Sequence, residues 1–197
     1  ERDLPGIKAC REVVDQIDWE CEVHRKYQEK NYGCDPSEYI SQKWAFSMVD
    51  KCIVLEDDDV PSVSFFTFCK EMLDRYEQDT RITMIAGFNN EEITPDVPYD
   101  YFFASTFSIW GWASWKRVID QWDEHYTFLE DTFNMQQLEQ LMKERKFRKD
   151  FIYMCHRHKE NNKAYYETIF HASILFNSGL SIVPTRNMIN NLGATAD

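Results

Sequence analysis

The sequence predicts an α/β fold, an open sheet flanked by helices in one domain. Three observations predict it. Ile53-Val54-Leu55 is a short apolar run that leads straight into Glu56-Asp57-Asp58-Asp59, and Pro61 then breaks the chain. Ile82 to Ala86 is a second apolar run, closed by Gly87-Phe88-Asn89-Asn90. Between them Phe65, Phe68, Cys69, Met72 and Tyr76 recur at helical spacing. Short runs rich in Ile and Val read as strands buried on both faces, and a helix joining two of them makes a β-α-β unit. In such sheets ligands bind outside the carboxyl ends of the strands. The four acids stand at that place.

In chain order, residues 4 to 17 predict a helix with Pro5 in its first turn and Ile7, Cys10, Val13, Val14 and Ile17 on one face. Cys21, Val23 and Tyr27 alternate with polar neighbours, a strand pattern broken at Arg25. Residues 29 to 36 form a turn-rich loop. Asp35 can cap, and Pro36 open, a helix to about residue 49. Lys30 and Asn31 precede that helix, whose N-terminus favours an anion, so they are candidates for a phosphate or nucleotide contact. Residues 51 to 56 form the first apolar strand. After Pro61 a helix is expected to about residue 77, with Asp59 or Ser62 as its cap. Residues 91 to 100 read as a surface loop.

Residues 101 to 115 are unusually aromatic, and Trp110-Gly111-Trp112 places a glycine between two indoles. An indole face suits the C–H face of a sugar ring, and a packed core uses such rings equally well. Residues 116 to 160 read as charged helix. His156 and His158 are two apart and would not share a helical face. Tyr165-Tyr166-Glu167-Thr168 opens an apolar helix to about Phe176, and Leu180 to Val183 is a short strand before Pro184. Glu167 gains from the helix dipole there and is also a candidate cleft carboxylate.

Composition narrows the function. The 197 residues carry a net charge of −12, which argues against nucleic acid and against adhesion to anionic lipid. Four adjacent carboxylates repel one another unless a cation is present, and oxygen ligands suit Mg²⁺ or Mn²⁺. The six cysteines have no CxxC spacing and read as reduced, which suits the cytoplasm. No apolar run has transmembrane length.

Several stretches together resemble one family. They are Lys30-Asn31-Tyr32-Gly33-Cys34, Val54-Leu55-Glu56-Asp57-Asp58, Ser64-Phe65-Phe66, Ile109-Trp110-Gly111-Trp112-Ala113-Ser114-Trp115 and Gly179-Leu180-Ser181-Ile182-Val183-Pro184. Their order is similar to bacterial nucleotide-diphospho-sugar glycosyltransferases of the GT-A fold (family 2-like). The Glu-Asp-Asp followed by paired phenylalanines is also similar to the eukaryotic N-acetylglucosaminyltransferase of the N-glycan pathway. The resemblance implies a Rossmann-like domain with a mixed central sheet, and transfer of a hexose or N-acetylhexosamine to a glycan acceptor, with inversion, in cell-surface polysaccharide synthesis. It implies Asp58 as ligand of Mn²⁺ or Mg²⁺, with Asp59 as an alternative ligand. Glu56 and Asp57 are expected near ribose and donor sugar, with Lys30, Asn31, Trp110, Gly111 and Trp112 as further donor contacts. Asn89 and Tyr166 are expected on the acceptor side and Glu167 as base. The family's pattern at the base is Trp-Asp, where this chain has Tyr166-Glu167. It also begins with a strand before residue 1 and continues past Asn191-Leu192-Gly193, so a fragment truncated at both ends is expected. The enzyme is expected in the cytoplasm or peripheral to the inner membrane. The competing reading is a non-catalytic carbohydrate- or calcium-binding module.

Overall fold

The computed structural model describes residues 3–105 and 108–193. The chain divides into two compact units, residues 1–30 and residues 31–197. The first holds helix α1 (Leu4–Val14), with Pro5 in its opening turn. Extended chain follows it. Arg25 pairs with Asp15 at 2.9 Å, and the Arg11 guanidinium lies 4.1 Å from the Tyr27 ring centre. The strand expected over residues 21–27 does not form, and every side chain there is exposed. Alternation marks a strand only where a partner strand and a covered face exist, and this unit offers neither among its described residues.

The second unit is an α/β fold. Helix α2 (Cys34–Met48) starts at Gly33, whose φ of +92° an L side chain rarely adopts. Asp35 and Pro36 therefore lie inside the first turn instead of opening it. Strand β1 (Lys51–Val54) is followed by the acid loop and by β2 (Asp59–Pro61). Ser62 caps helix α3 (Val63–Arg75), although its hydroxyl pairs with Ser64 Oγ at 2.9 Å and not with a helix amide. Strand β3 (Ile82–Ala86) is buried along its whole length. Strands β4 (Tyr101–Ala104) and β5 (Trp112–Trp115) come from the aromatic segment.

The stretch expected to be one helical region breaks into α4 (Lys116–Ile119), a 3₁₀ turn (Thr127–Glu130), α5 (Thr132–Leu141) and α6 (Arg145–Glu160). Asp123 causes one break. Its carboxylate accepts the Thr127 amide at 2.6 Å and the Thr127 hydroxyl at 2.7 Å, and Tyr126 sits at φ +49°. Local side-chain bonds of this kind compete with helix. Helix α7 (Tyr166–Phe176), β6 (Leu180–Pro184) and β7 (Ile189–Asn191) end the unit.

The five-stranded sheet has the order β1-β5-β3-β6-β4. Strand β5 runs antiparallel to both β1 and β3, β3 is parallel to β6, and β4 is antiparallel to β6. The sheet is therefore mixed. The two apolar strands expected to be neighbours are separated by the tryptophan strand. Strand β1 lies at the edge with half-buried side chains, not in a two-sided interior. Trp115 Nε1 donates to the Leu73 carbonyl of α3 at 3.2 Å, whereas Trp112 lies against Phe46 of α2 and Phe170 of α7. Residues three apart on a strand point to opposite faces, so α3 covers one face and α2 with α7 the other. The carboxyl ends of β1, β3 and β6 share one edge of the sheet. A small β2–β7 ladder, pairing Asp59 with Asn191, folds over that edge.

Candidate active site

Four segments meet at this edge, and three backbone bonds tie them together. The Gly87 amide donates to the Gly111 carbonyl at 2.7 Å, the Met188 amide to Gly87 at 3.0 Å and the Ser62 amide to Met188 at 2.8 Å. Gly111 has φ +60°, and a Cβ there would lie 2.5 Å from Ile189 Cδ1. Glycine is required twice over at this position, by conformation and by the closeness of β7.

The four loop acids have different duties. Asp59 turns inward. Its Oδ2 accepts the Glu56 amide at 3.1 Å, its Oδ1 faces Asn191 Nδ2 at 3.3 Å, and the Gly111 amide donates to the same carboxylate. With its oxygens so engaged, Asp59 closes the loop and anchors it to the tryptophan segment. Glu56 also turns inward, and its Oε1 accepts the Tyr166 hydroxyl at 2.8 Å. Asp57 is exposed. Asp58 is half-buried, with Oδ1 bonded to Asn191 Nδ2 at 3.0 Å and Oδ2 against Gly193, where any Cβ would overlap it.

Helices α2 and α7 bring further acids. Glu38 accepts the Cys34 thiol at 3.2 Å. That bond, then burial, pushes the thiol up to about 12. Burial is the largest cause raising Glu38, Glu56, Asp59 and Glu167 above the ordinary carboxylate range, and neighbouring acids add to it. Glu56 reaches about 7, with Glu38, Asp59 and Asp58 as its repelling neighbours and the Tyr166 hydroxyl pulling it down. Glu167 is repelled by Asp35 and Glu38. No lysine or arginine among the described residues 31–193 forms an ion pair with any of these acids. The result is a partly buried cluster of negative charge. Sequence reading missed Asp35, Glu38 and Asn191. They come from a helix and a strand distant in the chain, and no local motif marks them.

Glu167 and Trp110 line one cavity of about 350 Å³ with Phe88, Asn90, Ser108 and Ile109. The Trp110 ring meets Phe88 edge-on at 4.7 Å. Asp58 is not on that cavity's wall. Two short links join it to the acids: Glu56 to Tyr166 and so to Glu167, and Asp59 to Gly111 and so to Trp110. Three of the expected contact residues are buried. Trp112 is fully buried and has no face to offer a sugar. Tyr166 is also fully buried, and its hydroxyl holds Glu56 instead of an acceptor. The Asn89 amide is consumed by Pro184, Thr94 and Glu91 at 2.9 to 3.0 Å, so it shapes the turn while Asn90 lines the cavity. Asn31 is exposed and accepts the Gly33 amide at 2.8 Å, a local turn before α2. Lys30 belongs to the first unit.

Among the described residues no three His, Cys, Asp or Glu side chains converge on one metal position. The donor set nevertheless fits Mg²⁺ or Mn²⁺ brought with a diphosphate, because such ions take one or two carboxylates and fill the remaining positions with phosphate oxygens and water. No helix is long and apolar enough to cross a membrane, again among the described residues. No family model matches the chain, and no curated protein matches it.

Proposed function

We propose that the chain is a metal-dependent glycosyltransferase built on a GT-A-like domain. It moves a sugar from a nucleotide-diphosphate donor to a glycan acceptor with inversion, in bacterial cell-surface polysaccharide synthesis in the cytoplasm. The observation that carries this reading is the acid cluster at the sheet edge, tied by hydrogen bonds to the two residues that line the Trp110–Glu167 cavity or adjoin it. Asp58, with Asp57 beside it, would hold Mn²⁺ or Mg²⁺. The metal would supply charge neutralisation for the departing diphosphate.

The chain's own residues supply the rest. Trp110 offers a ring to the donor sugar. Glu167 accepts the acceptor's hydroxyl proton, and its raised pKa moves it toward the range where a carboxylate works as a base near neutral pH. Glu56 and Tyr166 fix the distance between the acid loop and α7.

A screen of nucleotide sugars for Mn²⁺-dependent thermal stabilisation tests the reading. One donor is expected to stabilise the protein only with metal, and Glu167→Gln is expected to keep that stabilisation while losing transfer. Full transfer by Glu167→Gln would remove Glu167 as base. No metal-dependent stabilisation by any donor would remove the glycosyltransferase reading.

A further inference from the structure

The Trp110–Glu167 cavity has a neighbour. Phe88, Asn90 and Ser108 also line a second cavity of about 300 Å³, whose further wall includes Thr94, Phe102 and Val183. The two spaces share a wall along the turn that follows β3. Asn90, in that wall, is exposed, so a ligand can pass over it from one space to the other. Phe102 and Val183 stand opposite one another in the β4–β6 pair. Tyr101 and Phe103, on either side of Phe102, both meet the Tyr76 ring at the end of α3, 6.3 and 5.7 Å away. Successive strand residues point to opposite faces. Phe102 and Val183 therefore face the side that α7 covers, which is the side of Glu167.

The order of the strands sets the order of the sites. The acid loop follows β1, at one edge of the sheet, whereas Val183 and Phe102 lie on β6 and β4 toward the other. Trp110, before β5, and the Phe88–Asn90 turn, after β3, come between them. A donor with its diphosphate at the acids and its sugar at Trp110 leaves the β6–β4 side for the molecule that receives the sugar. The second cavity has the chemistry of a sugar site. Phe88, Phe102 and Val183 are half-buried and apolar, a match for the C–H face of a pyranose. The side chains of Asn90 and Ser108 make no hydrogen bond among the described residues, so both can serve ring hydroxyls. The volume stands at the small end of ligand sites, which suits one ring. Among the described residues no lysine or arginine lines either cavity, whereas Glu91 lines one and Glu167 the other. A uronic acid or a phosphorylated sugar would meet only like charge there.

We propose that the second cavity holds the penultimate ring of the acceptor. Glu167 serves the ring whose hydroxyl is glycosylated, and the next, uncharged ring lies beside Phe102 and Asn90. The acceptor is therefore a neutral disaccharide or longer glycan. This site rests on the glycosyltransferase reading above, and the experiment separates the two. The full chain, with Mn²⁺ and each of UDP, GDP, ADP and dTDP in turn, is applied to an immobilised array of mono- and oligosaccharides that includes uronic-acid members. Binding of each nucleoside diphosphate is titrated alongside. A neutral disaccharide is expected to bind about tenfold or more tighter than its terminal monosaccharide, and uronic-acid glycans are not bound. Phe102→Ala removes the ring contact and weakens disaccharide binding about tenfold. Val183→Phe fills the cavity and removes the advantage of the disaccharide, and it covers the case in which Phe102→Ala unfolds. A folded variant keeps the parent's affinity for the nucleoside diphosphate with Mn²⁺, which a general loss of structure would not spare. Nucleotide binding with no gain from a second ring, tight binding of uronic-acid glycans, or full disaccharide binding by a folded variant would overturn the second-ring site and leave the glycosyltransferase reading standing. Failure of the parent to bind any of the four nucleoside diphosphates with Mn²⁺ would overturn that reading, and the site with it.

Discussion

Replacing Glu56 by Gln removes one partly buried charge from the acid cluster. The amide keeps an oxygen for the Tyr166 hydroxyl, 2.8 Å away in the parent, and removes the ionisation. Glu56 rises from an ordinary 4.5 to about 7, chiefly through burial. The folded state therefore holds a proton that the unfolded chain has lost between those values. By linkage, stability falls as pH rises through that window and stays low above it. The shift is worth about 3 kcal/mol if taken whole. Part of the side chain remains in water, and screening reduces the figure to about 1–2 kcal/mol. Glu56→Gln should thus gain about 1–2 kcal/mol over the parent between pH 5 and pH 8, or about 2–8 °C in melting temperature. Burial pulls His171 down to about 4, and it acts with the opposite sign between that value and 6.5. The parent's pH curve is therefore composite, and the difference between the two proteins is the observable. Urea denaturation without metal at pH 5, 6, 7 and 8 measures it. A difference that stays constant with pH, or a variant less stable at pH 8, would refute the reasoning.

Two further substitutions probe the connections around this charge. Tyr166→Phe removes the hydroxyl that holds ionised Glu56 and should cost about 1–2 kcal/mol at pH 8. The cost should be smaller at pH 5, and equal losses at both would assign Tyr166 a packing role alone. Gly111→Ala forces an L side chain to φ +60° and toward Ile189, and should cost about 2–4 kcal/mol in denaturation experiments. A loss below 1 kcal/mol would show that the tryptophan segment has room to shift.

Much of the framework was legible because local signals and tertiary packing agree. The Ile82–Ala86 run and the Tyr166–Phe176 helix formed with the expected bounds, since each is both apolar enough and bounded by its own stop signals. The acid run stands at a strand's carboxyl end as read. Which strands are neighbours was not legible, because the tryptophan strand enters between β1 and β3 from far along the chain. The roles inside the site were harder still. Glu56, Asp57, Asp58 and Asp59 look alike in sequence, and only their partners distinguish them: Tyr166 for Glu56, Gly111 and Asn191 for Asp59. Trp110 and Trp112 differ in the same way, one on a cavity wall and the other sealed between Phe46 and Phe170. The alternation over residues 21–27 failed for the converse reason, a local pattern without a partner.

Isothermal titration of a nucleoside diphosphate into the protein, with Mn²⁺ and with chelator, tests the central claim most directly. Binding is expected with Mn²⁺, none with chelator, and none by Asp58→Asn under either condition while its melting temperature holds. Metal-independent binding, or full binding by Asp58→Asn, would contradict it.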